Sequence, residues 1–261
     1  MAEIAISSFT EVPEQLYHTI LHYVDAYTSG APFTVCPLAT HTDLSTAKEY
    51  ARNALHDLGY QPDDFANFEL RTAVTENWQH GDGTIVWAKA ANGTEVMVNI
   101  DTTSNDEKLP EGLNHQLQLP NGSSHLHYVV QTTIDLVKDR SGIAQQSEVE
   151  GVYARRSDAI LAAKRQLAEL SDNNDFAQYE ERNDLGGCEE WPYGEDVVVH
   201  AIAQTGDNFY IAVKTVPGAH RRHNMHRTRI LASNGYKRST MAGEEKAPQA
   251  QGKRDNGEGA A

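Results

Sequence analysis

The chain has 261 residues, of which 39% are hydrophobic and 23% are charged, and its formal net charge is −15 at pH 7. Its two cysteines are too few for a disulfide framework, and no stretch approaches the roughly 20 apolar residues of a membrane helix. Residues 1–15 form a leader with early acidic residues and no basic region, so we expect no signal peptide, no membrane partner, and a cytoplasmic or nuclear protein.

The first predicted unit is an α+β module over residues 16–102. Its apolar pattern changes between period two and helical spacing, and it predicts two strands, one helix and three further strands. Asp43 or Ser45 is a suitable N-cap for the helix, and Gly59 is a typical residue after its end. The clearest predicted elements lie at 16–27, 34–41, 45–55, 84–90 and 96–100.

Residues 103–125 are predicted to form a linker, because this segment is rich in Asn, Gly, Pro and charged residues. Asp106 and Glu107 lie in it, and Asp101 lies just before it. We expect these three carboxylates to be a solvated acidic stretch rather than a pair of groups that performs acid–base chemistry.

Residues 126–216 repeat the first module. The helix pattern of 45–55 recurs at 157–167 with Ser157 as its suitable N-cap, and the aromatic segment 64–69 recurs at 175–180. Trp78 recurs as Trp191. A shift between counterparts that stays nearly constant over roughly 55 positions indicates a tandem duplication of one ββαβββ module. We therefore expect an α+β fold of two antiparallel sheets, each with one helix on a face, that pack together as an internal pseudo-dimer.

The start of the second module carries a resemblance to a known group of proteins. Tyr-Val-Val-Gln-Thr at 128–132 is followed by Asp-Arg-Ser-Gly at 139–142, Val-Glu-Gly-Val-Tyr-Ala at 149–154 and Ser-Asp-Ala-Ile at 157–160. This stretch resembles a group of uncharacterised filamentous-fungal proteins with the same strand–strand–helix layout. The resemblance covers about residues 126–170. It implies a fungal source, and it implies no activity, cofactor or catalytic residue.

Trp78 and Trp191 are the shared residues that best suit a binding role. Each could be a platform on which a base or another ligand stacks. Each could also close the core of its module beside a glycine turn, because Gly81 and Gly194 follow at the same spacing. The other shared positions are mostly apolar, aromatic or glycine, which is typical of a retained fold.

The remaining polar residues give no catalytic or metal-binding pattern. The pairs His18/His22 and His125/His127 each lie on one face of a predicted strand, but neither pair has an obvious third ligand for zinc. No nucleophile, phosphate-binding or dinucleotide-binding motif is present. We therefore predict no cofactor and no metal, and the sequence argues against an enzyme while leaving one active module beside a degenerate one open.

Residues 217–261 are predicted to be a tail that is first basic and then disordered. Its basic part contains the four arginines Arg221, Arg222, Arg227 and Arg229. These residues could be a nuclear localisation signal, a contact to nucleic acid, or a docking segment for an acidic partner. They could equally be a solvated tail.

Three functions follow as hypotheses. The first is a non-catalytic interaction or regulatory protein that binds an unknown protein partner through the duplicated scaffold. The second is a nucleic-acid-binding protein that uses the basic tail, although 33 acidic and 13 basic residues over 1–216 oppose binding of a phosphate backbone. The third is an enzyme with a cleft between the two modules.

Overall fold

Two five-stranded antiparallel sheets, each with one helix, form the described part of the chain. The computed structural model describes residues 12–24, 33–72, 78–142, 145–167, 176–182, 191–217 and 219. This architecture confirms the α+β fold and the duplicated module. The described residues belong to one compact unit, and apart from Pro217 and Ala219 the predicted tail lies outside them.

The first module has the predicted order ββαβββ. Its elements are β1 (Gln15–Val24), β2 (Thr34–His41), α1 (Leu44–Asp57), β3 (Asn67–Leu70), β4 (Thr84–Lys89) and β5 (Glu95–Ser104). The strand order across the sheet is β2-β1-β5-β4-β3. The first and last long strands of the module are therefore neighbours at the centre of the sheet.

The second module repeats this order. Its elements are β6 (His127–Asp135), β7 (Gln145–Tyr153), α2 (Arg156–Gln166), β8 (Phe176–Glu181), β9 (Val197–Ala203) and β10 (Asp207–Thr215). The strand order is β7-β6-β10-β9-β8, which is the order of the first sheet with each strand replaced by its counterpart.

Alanines hold each helix close to its sheet. Ala47, Ala51 and Ala54 of α1 are buried, as are Ala159 and Ala163 of α2. Because these side chains are small, the helix backbone approaches the valines of the sheet closely, and those valines complete the core on this face. The helix face of each sheet is thus largely apolar.

The two helices begin differently. Asp43 caps α1, because its carboxylate accepts hydrogen bonds from the Thr46 backbone N–H at 2.7 Å and from the Thr46 hydroxyl at 2.9 Å. The prediction that Ser157 caps α2 is wrong. The residue at the N-cap is Arg155, whose side chain makes no capping hydrogen bond, and the Ser157 hydroxyl donates to Asp158 instead.

Both sheets contain the same two β-bulges. Leu38 is the extra residue of β2 opposite β1, and Glu150 is the extra residue of β7 opposite β6. Ile85 in β4 and Val198 in β9 form the second matched pair. Since a bulge adds local twist and redirects side chains, its retention at equivalent positions shows that the two modules share detailed geometry as well as topology.

The faces of the sheets that lack a helix meet at a shared core. Leu16 and Ile20 of β1 pack in one cluster with Leu126, Tyr128 and Val130 of the second module. β5 contacts β7, and β10 contacts β2. Since β10 is the counterpart of β5 and β2 is the counterpart of β7, the two contacts are equivalent. We call this region the module junction.

The linker is ordered and belongs to the junction. Leu109 is buried in the shared core, and Glu107 accepts a hydrogen bond from the Ala154 backbone N–H at 2.6 Å. The expectation of a solvated acidic stretch is therefore wrong for Glu107, and it is also wrong for Asp101, which lies in β5 against β7. Asp106 is exposed as expected. β5 runs beyond the predicted end of the strand, which explains the error for Asp101.

Candidate functional site

Trp78 lies in a cluster of rings on the first sheet, which we call aromatic cluster 1 (Glu69, Trp78, His80 and Trp87). The His80 ring stacks on Trp87 with 4.5 Å between centroids and 11° between planes, and Trp78 meets His80 edge-on at 4.8 Å. His80 Nε2 is 2.9 Å from a carboxylate oxygen of Glu69, which forms an ion pair when the imidazole is protonated. These contacts hold residues 78–80, which lie just before β4, against the sheet.

Trp191 lies in the equivalent cluster of the second sheet, which we call aromatic cluster 2 (Glu180, Trp191, Tyr193 and His200). Tyr193 stacks on His200 with 3.8 Å between centroids and 12° between planes, and Trp191 meets Tyr193 edge-on at 5.0 Å. The Tyr193 hydroxyl donates a hydrogen bond to the Glu180 carboxylate, and burial together with this carboxylate raises the Tyr193 pKa. In both clusters, a ring just before the strand (His80 or Tyr193) lies between the tryptophan and a ring of the strand itself (Trp87 or His200).

In both modules, an arginine that follows the short third strand binds the backbone just before the fourth strand. Arg71 follows β3 and donates to the backbone carbonyl of Asp82, and Arg182 follows β8 and donates to the backbone carbonyl of Glu195 at 2.8 Å. Gly81 and Gly194 both have positive φ, +90° and +111°, which glycine adopts without a steric cost. The same glycine, arginine and acidic side chain therefore recur around both clusters.

Sequence reasoning found the tryptophans, the glycines that follow them and the 64–69/175–180 segments, and it missed the arginines and the acids Asp82 and Glu195. The segment between Arg182 and Glu195 is two residues longer than that between Arg71 and Asp82, so the shift between counterparts changes within it. A comparison at one fixed shift does not align these arginines and acids together. Counting residues from the end of the preceding strand aligns Arg71 with Arg182, and counting back from the start of the following strand aligns Asp82 with Glu195.

The clusters lie on the sheet face that turns away from the helix. Trp87 is paired with Glu69 of β3 and Met97 of β5, whereas its neighbours Val86 and Ala88 point into the helix-side core. Because β3 and β4 lie on the far side of β5 from β1 and β2, cluster 1 is beside the junction rather than in it. Cluster 2 occupies the same place on the second sheet.

The clusters combine buried nitrogen atoms with exposed carboxylates. Trp78 and Trp191 are partly exposed, yet their indole nitrogens are buried and have no hydrogen-bond acceptor within the described residues. What each tryptophan shows to solvent is therefore ring carbon. The Glu69 side chain is half-exposed, and the Asp82 side chain is fully exposed beside Arg71. Cluster 1 thus presents aromatic carbon and negative charge on one surface, and in the second module Glu195 is exposed and Glu180 is half-buried.

A buried polar chain crosses the module junction. His18 Nδ1 is 2.9 Å from the Thr40 hydroxyl, and its Nε2 is 2.8 Å from the Thr103 hydroxyl. Thr40 in turn is 2.9 Å from the hydroxyl of Tyr128. Burial lowers the pKa of His18 to about 3 and raises that of Tyr128 to about 12, so both are neutral at physiological pH. This linear series of hydrogen bonds from Thr103 to Tyr128 joins the modules.

Asp101 makes a second polar contact across the junction. Its carboxylate accepts a hydrogen bond from the Val149 backbone N–H at 3.1 Å. Burial raises the Asp101 pKa to about 6 against the opposing effect of this hydrogen bond, and the nearby Glu148 carboxylate raises it further. Glu150 also has a raised pKa, chiefly from burial and from Glu148.

The other residues singled out in the sequence have varied positions. The His18/His22 pair is buried at the junction, and the rings of His125 and His127 contact each other at 4.8 Å. Across the described ranges, no group of three or more His, Cys, Asp or Glu side chains could hold a metal ion, and no helix is both long and apolar enough to cross a membrane. Arg221, Arg222, Arg227 and Arg229 lie outside the described residues. Comparison with protein-family models, curated proteins and solved structures found no match.

Proposed function

We propose that this chain is a non-catalytic interaction protein whose contact surfaces are aromatic clusters 1 and 2. The observation that carries the proposal is the recurrence, in both modules, of a partly exposed tryptophan that is followed four residues later by an exposed carboxylate. A solvent-facing acid does not contribute to the packing of a core, so packing alone does not account for Asp82 and Glu195 at matched positions.

The distribution of tryptophan supports the same proposal. The chain has three tryptophans, and all of them, Trp78, Trp87 and Trp191, belong to the two clusters. Tryptophan is enriched where proteins contact partners, because its ring buries a large area while losing little conformational freedom. A duplicated scaffold that holds such surfaces rigidly suits a protein that binds two sites or two copies of a partner.

Site-specific photo-crosslinking tests the proposal. Gln79 and Pro192 are exposed, occupy equivalent positions next to the cluster tryptophans, and accept a photoreactive residue without disturbing a core. Asn92 and Thr205 are matched controls, since both are exposed in the hairpin turns at the other ends of β4 and β9. In cells that naturally make the protein, we expect discrete adducts from positions 79 and 192 and none from positions 92 and 205.

Two results would refute the proposal. One is the absence of adducts at positions 79 and 192 although crosslinking at a buried position inside the protein succeeds. The other is the same set of adducts from all four positions, which would show that contact is not directed to the clusters.

A further inference from the structure

We propose that each aromatic cluster receives an arginine side chain from a basic segment of the partner. This inference rests on the proposed function and names the chemistry that the clusters recognise. A guanidinium group stacks on an aromatic ring and hydrogen-bonds a carboxylate in the same plane, so it uses both features that each cluster presents.

The exposed part of each tryptophan suits stacking rather than hydrogen bonding. The indole nitrogens of Trp78 and Trp191 are buried, so a partner that approaches from solvent meets ring carbon. A hydrogen-bond acceptor on the partner cannot reach the indole N–H without displacing the ring. A planar cation placed over the ring is attracted by the negative face of the π system.

The carboxylates around cluster 1 keep acceptor positions for an added cation, because an ionised carboxylate offers about four lone-pair sites. Glu69 has His80 Nε2 at 2.9 Å, and Asp82 has Arg71 beside it, which directs one guanidinium nitrogen to the Asp82 backbone carbonyl, with 3.8 Å between its other terminal nitrogen and the Asp82 carboxylate. Only 17% of the Arg71 side chain is exposed, whereas the Asp82 side chain is wholly exposed. An incoming arginine therefore meets the carboxylates first.

Charge selects the class of partner. Residues 1–216 carry 33 acidic and 13 basic residues, so this part of the chain repels phosphate groups and attracts basic segments over a distance of about one Debye length. The same field disfavours the alternative in which nucleic-acid bases stack on the tryptophans, because each base brings a phosphate.

The three tryptophans give a direct readout of binding. In a ¹⁵N-labelled full-length chain, three indole N–H signals report the clusters: Trp78 and Trp87 for cluster 1, Trp191 for cluster 2. The chain carries Arg221→Ala, Arg222→Ala, Arg227→Ala and Arg229→Ala, so that the added peptide is the main arginine-rich segment in the sample. The probes are a nine-residue arginine peptide, a nine-residue lysine peptide and a single-stranded oligonucleotide of similar length.

We expect the arginine peptide to shift the indole signals and to bind at least about threefold more tightly than the lysine peptide, whose ammonium groups stack less well. Asp82→Lys should weaken binding at cluster 1, and Glu195→Lys should weaken binding at cluster 2. The control is Asp57→Lys, which makes the same charge change at an exposed position of α1.

Equal affinity for the two peptides, or an equal effect of Asp82→Lys and Asp57→Lys, would overturn the inference. So would shifts of the indole signals by the oligonucleotide and not by the arginine peptide. If crosslinking identifies a partner at positions 79 and 192 while the peptides fail, only the arginine chemistry is wrong. If both experiments fail, the proposed function is wrong as well.

Discussion

His18 and Tyr128 occupy the same position in the two modules and contact each other. His18 pairs with Asp101 in β5 and Tyr128 pairs with Lys214 in β10, and these two partners are themselves counterparts in the repeat. Their rings meet edge-on with 5.8 Å between centroids. The two equivalent positions therefore face each other across the junction, and the different residues at them belong to one hydrogen-bonded chain through Thr40.

His18→Gln is expected to weaken the fold and to change its response to acid. The unfolded histidine gains a proton as the pH falls below about 6.5, whereas the buried His18, with its pKa of about 3, stays neutral. The unfolded state then binds more protons, so the free energy of unfolding decreases with falling pH. Loss of buried hydrogen bonds should cost about 1–3 kcal/mol at pH 7, and the further loss between pH 7 and pH 4 should be smaller than in the parent.

Urea unfolding at several pH values measures both effects. His56→Gln is the control, because His56 is exposed on α1. An identical acid response in His18→Gln and the parent would show that His18 titrates normally in the folded protein.

Asp101→Asn should have the opposite effect on the pH dependence. The raised pKa of Asp101, about 6, means that the folded state binds more protons than the unfolded state between roughly pH 4 and 6, so ionisation lowers stability as the pH rises. An asparagine keeps an acceptor for the Val149 N–H and has no charge. We expect a gain of roughly 1–2 kcal/mol at pH 8 and little difference at pH 4.

The measurement is the free energy of unfolding at the two pH values, with Asp106→Asn as the exposed control. A destabilised Asp101→Asn protein at pH 8 would show that the charge of the carboxylate, rather than its acceptor atom, holds the junction.

The sequence predicts residues well where a periodic pattern exists and poorly where the partner is distant along the chain. The alternating residues of β5 and their counterparts in β10 were visible, because period two marks a half-buried strand. Asp101 looked like a solvated residue, because its partner Val149 lies in the other module. His80 and Tyr193 escaped notice since a histidine and a tyrosine share only an aromatic ring.

At the scale of elements, the order ββαβββ was predictable and the bulges were not. Helix and strand patterns differ in their spacing, so each element has a signal in the sequence. A bulge adds one residue within a strand and leaves no distinct pattern. Pro37 is informative in retrospect: it is the counterpart of Val149, and because proline has no N–H it needs no acceptor such as Asp101.

The start of α2 offers a stabilising substitution. Arg155 is at the N-cap without a side-chain hydrogen bond, and a positive charge there opposes the helix dipole. Arg155→Ser is expected to raise the free energy of unfolding by roughly 0.5–1 kcal/mol, because a serine hydroxyl accepts from a backbone N–H of the first turn.

Thermal and urea unfolding of Arg155→Ser and of Arg156→Ser distinguishes a new cap from the loss of positive charge as the cause of the gain. The second variant loses the same charge one residue inside the helix and gains no cap. Equal gains in both would show that charge, and not capping, is responsible, while Asp43→Ala should destabilise α1 in the same assays.

At the scale of the whole described unit, each sheet has one face under a helix, and its other face is shared between the other module and an aromatic cluster. The duplication predicted two similar modules and suggested that they pack together. It could not predict how, because the junction depends on residues that differ between the modules, such as His18 and Tyr128 or Thr40 and its counterpart Val152. Similar residues preserve each module, and dissimilar residues connect them.

The shared core predicts that both modules unfold together. Ile20 of β1 is fully buried in the cluster that contains Leu126 and Val130 of the second module. Ile20→Ala should therefore cost about 2–5 kcal/mol and weaken both modules, since neither can keep its junction face dry without the other.

Trp191 reports the second module by its fluorescence when Trp78 and Trp87 are replaced by phenylalanine. In that background we expect Ile20→Ala to lower the urea midpoint seen by Trp191 as much as the midpoint seen by circular dichroism. Leu161→Ala on α2, which is half-exposed, should leave both midpoints nearly unchanged. A Trp191 transition that stays in place while the circular dichroism splits into two steps would show that the modules are independent.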